Sequence, residues 1–211
     1  MRTIDRYIIF LSVAFIVSGV VFFLYPQIDL ATTQLFYDAQ TQTFPFKHTA
    51  VEHFLYHSVK YLLITIVVVF LILFYLKKIS KKVLLYIFLT LSLAPGLIVN
   101  VVLKEHWGRA RPVQTVDFGG KEVFQKPYVK TDKGYHSFSS GHAAAAFSVF
   151  GIALLARRKK LFITLALVYG SGVSFARVAA GGHYLSDVVT SFFIVTLVSL
   201  LLYRYFFKEE L

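Results

Sequence analysis

The sequence predicts an all-α polytopic membrane protein: six transmembrane helices in a bundle, with both termini cytoplasmic. Three observations carry this. Of 211 residues, 57% are hydrophobic and only 16% charged, with a mean hydropathy of +0.66, whereas a soluble domain carries about 25% charged residues. Six apolar stretches approach the roughly 20 residues that cross a hydrocarbon core of about 30 Å. Basic residues concentrate in alternate connections between those stretches, as the positive-inside rule requires. The same composition narrows the chemistry. With no Cys, disulfides, thiolate zinc sites and cysteine nucleophiles are excluded. A net charge of +11 calls for an anionic partner, and nucleic acid is disfavoured because long apolar runs separate the basic residues.

The first stretch, 7–25, exceeds the 7–15-residue apolar region of a cleaved signal and reads as a signal-anchor. The second spans 59–76. The third, 83–103, contains Pro95-Gly96, which neighbouring helices tolerate. The fourth and fifth, 143–156 and 161–176, are short, but small or polar residues beside them can extend each; the sixth is 188–207. No internal repeat appears, so residues 1–211 read as a single domain. Arg2, Arg6, Lys77, Lys78, Lys81, Lys82, Arg157, Arg158, Lys159, Lys160, Arg204 and Lys208 fall on one side with Asp5, Glu209 and Glu210, a net +9. The other side nets +2. The connections 26–58, 104–142 and 177–187 therefore face outward, into a periplasm or its equivalent.

The unusual polar residues lie in those outward connections. Lys104 and Arg111 are seven apart, hence on one face about 10 Å apart if the helix continues, where both reach one anion. Arg111 offers a planar fork suited to phosphate and Lys104 a point charge. Pro112 makes a helix end at Arg111 plausible. Arg109, turned away by about 140° on such a helix, is assigned to a lipid headgroup or the surface. Taken singly, each cation also fits interfacial anchoring by snorkelling. Ser139-Ser140-Gly141-His142 before Ala143–Ala146 reads as a helix start, whose free N–H groups suit an oxyanion, with His142 at its mouth. His183 and Asp187 are four apart, so a carboxylate can orient an imidazole and leave its other nitrogen free to attack. Metal ligation is the rival reading of that pair. The nearby cations Lys104, Arg111 and Arg177 argue against it.

Lys104-x6-Arg111-Pro112, Ser140-Gly141-His142 and Arg177-x5-His183-x3-Asp187 together resemble the three signatures of the phosphatidic acid phosphatase type 2 superfamily. They occupy 104–187, and the helix layout extends the resemblance over nearly the whole chain. Ser139 stands where the family usually has Pro, and Ala176 where it usually has Ser; Ser139 can still cap the helix. The resemblance implies a metal-independent hydrolase of phosphomonoesters or pyrophosphates, with no cofactor. It implies His183 as a nucleophile that forms a phosphohistidine, Asp187 as its orienting partner and His142 as general acid, then base. Lys104, Arg111, Arg177, Ser140 and Gly141 are implied as the cradle for the phosphate oxygens.

The expected substrate is a phosphorylated lipid in the inner membrane, met at the periplasmic face. The Gly108–Pro112 run and Lys121, Lys126, Lys130 and Lys133 are similar to lipid A 1-phosphatases, so dephosphorylation of lipid A at the 1-position is the leading expectation. Undecaprenyl pyrophosphate and phosphatidylglycerophosphate are the runners-up. An anion transporter or channel is the reading from another class, but it would place ionisable groups near mid-membrane. An inactive lipid-binding relative is a third. His48, His53 and His57 suggest an interfacial helix more than a second metal site.

Overall fold

The computed structural model describes residues 3–207; Arg2, Lys208, Glu209 and Glu210, which contribute to the charge count above, lie outside them. The described residues are helical, with only two isolated bridges, Asp38 with Thr43 and Thr115 with Glu122. Five helices are long and apolar enough to cross a membrane. Three of these are α1 (Thr3–Leu24), α3 (Ala50–Tyr75), and α4 (Lys81–Ser92) with its π-helical continuation Leu93–Lys104 and the turn α5 (Glu105–Trp107). The others are α8 (Lys159–Ala179) and α9 (Leu185–Phe206).

The remaining apolar segment is shorter than a span. It consists of α6 (Gly141–Phe147) and α7 (Val149–Ala153), interrupted at Ser148, whose hydroxyl donates to the Ala145 carbonyl at 2.6 Å. At 1.5 Å per residue this pair reaches only about 20 Å. It is packed inside the bundle against α8 and α9, with Ala143, Ala144 and Ala146 fully buried. Small residues there let the backbones approach closely, which substitutes for the missing hydrophobic drive between helices in lipid. The outer faces of α1 and α3 keep large apolar side chains exposed, as a lipid-facing surface requires.

Two further departures have local causes. A short helix, α2 (Gln27–Gln34), lies in the connection between α1 and α3. The helix of the second span starts nine residues earlier than its apolar stretch: Thr49 caps α3 by accepting from the Glu52 amide at 3.2 Å, so His53 and His57 lie in the first turns of that helix and not on a helix of their own. Pro95 lies in the π-helical segment, where the wider turn absorbs its missing N–H, and the Asn100 side chain donates to the Pro95 carbonyl at 2.6 Å. Asn100 sits hard against Gly141, at a point where any Cβ would collide with it. This contact binds the end of the third span to the start of α6.

The ends of the bundle are distinct. Asp5, Lys82, Lys159 and Arg204 meet at one end, where Arg204 pairs with Asp5 at 3.0 Å and Lys159 donates to the Tyr203 hydroxyl at 2.8 Å. The connections carrying the three motif segments gather at the other.

Candidate active site

The segment after α4 does not continue as a helix. Gly108 takes φ +72° and stops α5, and a side chain there would strike the Thr131 backbone. Arg109 therefore does not lie on a continuation of that helix. Arg109 is 0% exposed rather than at the surface or against headgroups. Its Nη1 donates to Asp187 Oδ1 at 2.6 Å and to Ser186 Oγ at 2.8 Å, its Nη2 to Asp29 Oδ2 at 2.7 Å, and its guanidinium lies 4.3 Å from the centre of the Tyr184 ring. Arg111 is extended at φ −78°, ψ 158°, held by its amide donating to Gln114 Oε1 at 2.8 Å. It still comes within electrostatic range of Lys104, His142 and His183. The loop's turn, and not one helix face, brings Lys104 and Arg111 together.

His183 precedes α9, whose N-cap is Tyr184, and Asp187 in the first turn accepts from the Tyr184 amide at 3.0 Å. The pair therefore meets across a helix cap and not along a helix face. His183 Nδ1 lies 2.8 Å from the Ser137 carbonyl but 3.6 Å from Asp187 Oδ2, too far for a direct hydrogen bond. A carbonyl can only accept, so Nδ1 carries the proton and Nε2 keeps its lone pair. Asp187 instead bonds the Ser137 hydroxyl at 2.6 Å and acts on the ring through Ser137 and through its charge. His183 is 2% exposed, and this burial, only partly opposed by Asp187, pushes its pKa down to about 4. The imidazole is neutral at pH 7.

Ser140 caps α6, accepting from the Ala143 amide at 3.4 Å, while Ser139 Oγ is buried without a hydrogen-bond partner. The capping role expected of Ser139 thus belongs to Ser140 alone. Ser191 donates to the Ser140 carbonyl at 2.9 Å and anchors α6 on α9. Gly141 and His142 open the helix as expected, and Ala176, where the family usually has Ser, is buried in α8.

Arg177, in the last turn of α8, pairs with Glu52 at 3.2 Å and lies 4.9 Å from the centre of the Tyr56 ring; its buried Nε has no partner. Tyr56 also stacks on His142 at 4.0 Å. Neither Glu52 nor Tyr56 was identified from sequence, nor were Asp29 and Ser137. Glu52 and Tyr56 are one helical turn apart on α3, a spacing that sequence offers at many other positions. Beside them, His48, His53 and His57 line an open cavity of about 800 Å³, with the His53 and His57 rings 4.2 Å apart. Among the described residues, no three His, Asp, Glu or Cys side chains cluster as metal ligands would. In the Lys-rich loop before α6, Lys133 pairs with Glu122 at 2.9 Å on the surface.

Cations converging on a neutral histidine, at the end of a bundle that is apolar outside, are what a membrane-bound phosphatase needs: phosphoryl transfer depends mainly on positioning and on neutralising charge. The pattern of the PAP2 superfamily matches residues 83–211. A lipid A 4'-phosphatase from Francisella tularensis subsp. novicida is 34% identical over 206 residues, covering 92% of each chain. A lipid A 4'-phosphatase from Rhizobium leguminosarum is 41% identical over 47% of this chain and 45% of its own. A lipid A 1-phosphatase from Rhizobium johnstonii is 36% identical over 49% of this chain and 40% of its own. The crystal structure of the transmembrane PAP2 type phosphatidylglycerolphosphate phosphatase from Bacillus subtilis superposes with a TM-score of 0.59 at 22% identity, covering 99% of this chain and 96% of that one. The chain belongs to the PAP2 superfamily. It is a membrane lipid phosphatase, a phosphoric monoester hydrolase.

Proposed function

We propose that the protein removes a phosphate from lipid A at the periplasmic face of the inner membrane, through a phosphohistidine on His183. The observation that carries the mechanism is the fixed tautomer of His183: with Nδ1–H held by the Ser137 carbonyl, Nε2 is a neutral, buried nucleophile. Nε2 attacks phosphorus while the bond to the lipid oxygen breaks, and His142, which takes up a proton as the anionic phosphate binds among the cations beside it, passes that proton to the leaving oxygen. His142 then takes a proton from water, which attacks the phosphohistidine; the P–N bond breaks, free phosphate leaves and His183 is restored. Lys104, Arg111 and Arg177 neutralise the phosphoryl oxygens, with Ser140 and Gly141 at the start of α6. The unpartnered Nε of Arg177 is a donor ready for that role. No step calls for a metal.

The similarity to the Francisella 4'-phosphatase over 92% of the chain favours the 4'-phosphate over the 1-position that the loop composition suggested. The 1-position remains the second reading, supported by the Rhizobium 1-phosphatases, which match about half the chain. The concentration of basic residues at the end opposite the site supports the periplasmic orientation.

The test is phosphate release by purified protein from bis-phosphorylated lipid A in micelles with chelator present, followed by mass spectrometry of which phosphate is lost. Phosphatidate, phosphatidylglycerophosphate and undecaprenyl pyrophosphate serve as competitors. Loss of the 4'-phosphate, abolished in His183→Ala and His142→Ala, is expected. Preference for another lipid would overturn the substrate, and full activity in the His183 variant would overturn the nucleophile.

A further inference from the structure

Asp29 lies outside all three motif segments, on a short helix between the first two spans, yet it is 0% exposed and bonded to the machinery behind His183. Its Oδ1 accepts from the Ser186 amide at 2.8 Å; its Oδ2 accepts from Ser186 Oγ at 2.6 Å and from Arg109 Nη2 at 2.7 Å. Arg109 in turn donates to Asp187. A lone Arg109–Asp187 pair would be neutral, and the guanidinium would cancel the field by which Asp187 favours a positive imidazole. Adding Asp29 changes the total. With both carboxylates ionised, the Asp29–Arg109–Asp187 assembly carries one net negative charge.

We propose that Asp29 is a positioning residue for the phosphoryl transfer: it holds Arg109 and offsets its charge, so that Asp187 remains effectively anionic behind His183. The reaction needs that charge at one moment. When Nε2 bonds phosphorus and Nδ1 keeps its proton, the imidazole ring becomes cationic, and a net negative charge behind it stabilises the phosphohistidine and the transition state leading to it. Arg109 is retained because two buried carboxylates facing each other without a cation would be prohibitive. Ser186 locks the geometry by bonding both Asp29 and Arg109. The inference rests on His183 as nucleophile and is independent of which lipid is cleaved.

The experiment therefore uses dioctanoyl phosphatidate as well as lipid A, and compares wild type with Asp29→Asn, Arg109→Gln and the double variant. The net charge behind the ring is negative one in wild type, zero in Asp29→Asn and negative one again in the double variant, while in Arg109→Gln the two facing carboxylates lose their cation and one of them takes up a proton. Asp29→Asn should lower kcat about tenfold or more with KM unchanged within twofold, and the double variant should recover most of that loss. A residue that merely held the fold together would give additive losses in the double variant. Folding is monitored by melting in the same micelles; should Asp29→Asn not fold, the double variant decides alone, turnover within tenfold of wild type supporting the proposal. Wild-type kcat in Asp29→Asn, or a double variant no better than the poorer single one, would overturn it. Release from phosphatidate but not from lipid A would instead overturn the substrate, and retained activity in His183→Asn the nucleophile.

Discussion

The two ends of the bundle treat charge in opposite ways. At the end where Asp5, Lys82, Lys159 and Arg204 meet, charge lies near the surface: the Arg204 side chain of the Arg204–Asp5 pair is 48% exposed. At the other end Asp29, Arg109 and Asp187 are wholly buried, and each makes several hydrogen bonds. Burying an ion costs several kcal/mol even when it is paired, so such a network is poor economy as mere structural support. Among the described residues this network lies at the histidine-bearing end, whereas Arg6, Lys81, Lys82, Arg157, Lys159 and Arg204 at the other end are exposed.

That contrast can be broken most severely at His183, the proposed nucleophile. His183→Ala should lower phosphate release by about 10⁴-fold or more while leaving the helical content unchanged, as measured by release assay and circular dichroism. Arg109→Met comes next. It leaves two carboxylates facing each other without their cation and should cost about 3–5 kcal/mol of stability, read as a large drop in melting temperature in micelles.

The acid sensitivity of His183 is the third test. Its pKa falls from 6.5 to about 4 on folding. Between those values the unfolded chain binds the extra proton, so stability rises with pH across the window; below pH 4 both states are protonated and the dependence ends. The contribution of this group is on the order of 3 kcal/mol, measured as the difference in melting between pH 4 and 7 for wild type against His183→Asn. In kinetics, protonation of His183 should not depress kcat/KM near pH 6.5; its acid limb should appear closer to pH 4.

Ser137→Ala sharpens the comparison at smaller scale. It keeps the carbonyl that fixes the His183 tautomer but removes the 2.6 Å bond to Asp187. A hydrogen bond to a charged group is worth about 1.5–3 kcal/mol, so kcat should fall about 10- to 100-fold with little change in KM. The smallest effect belongs to the exposed end: Arg204→Ala should change stability by at most about 1 kcal/mol and leave turnover at the wild-type level.

The sequence by itself determined the helical membrane architecture, because apolar length and charge sidedness are properties of the chain read in order. It also supplied the residues that the structure gathers at one end, since Lys104, Arg111, His142, Arg177, His183 and Asp187 sit at fixed spacings beside recognisable helix starts and stops. Only the tertiary structure decided what those residues touch. Gly108 ends the helix early, so angles counted along an ideal helix put Arg109 on the outside when it lies at the centre. Asp187 reaches His183 through Ser137, and Asp29 reaches Asp187 through Arg109, which lies 80 residues further along the sequence than Asp29. Such links depend on how α2, α9 and two irregular loops pack. Spacing along the chain carries contacts within a helix, and it does not carry contacts made by packing.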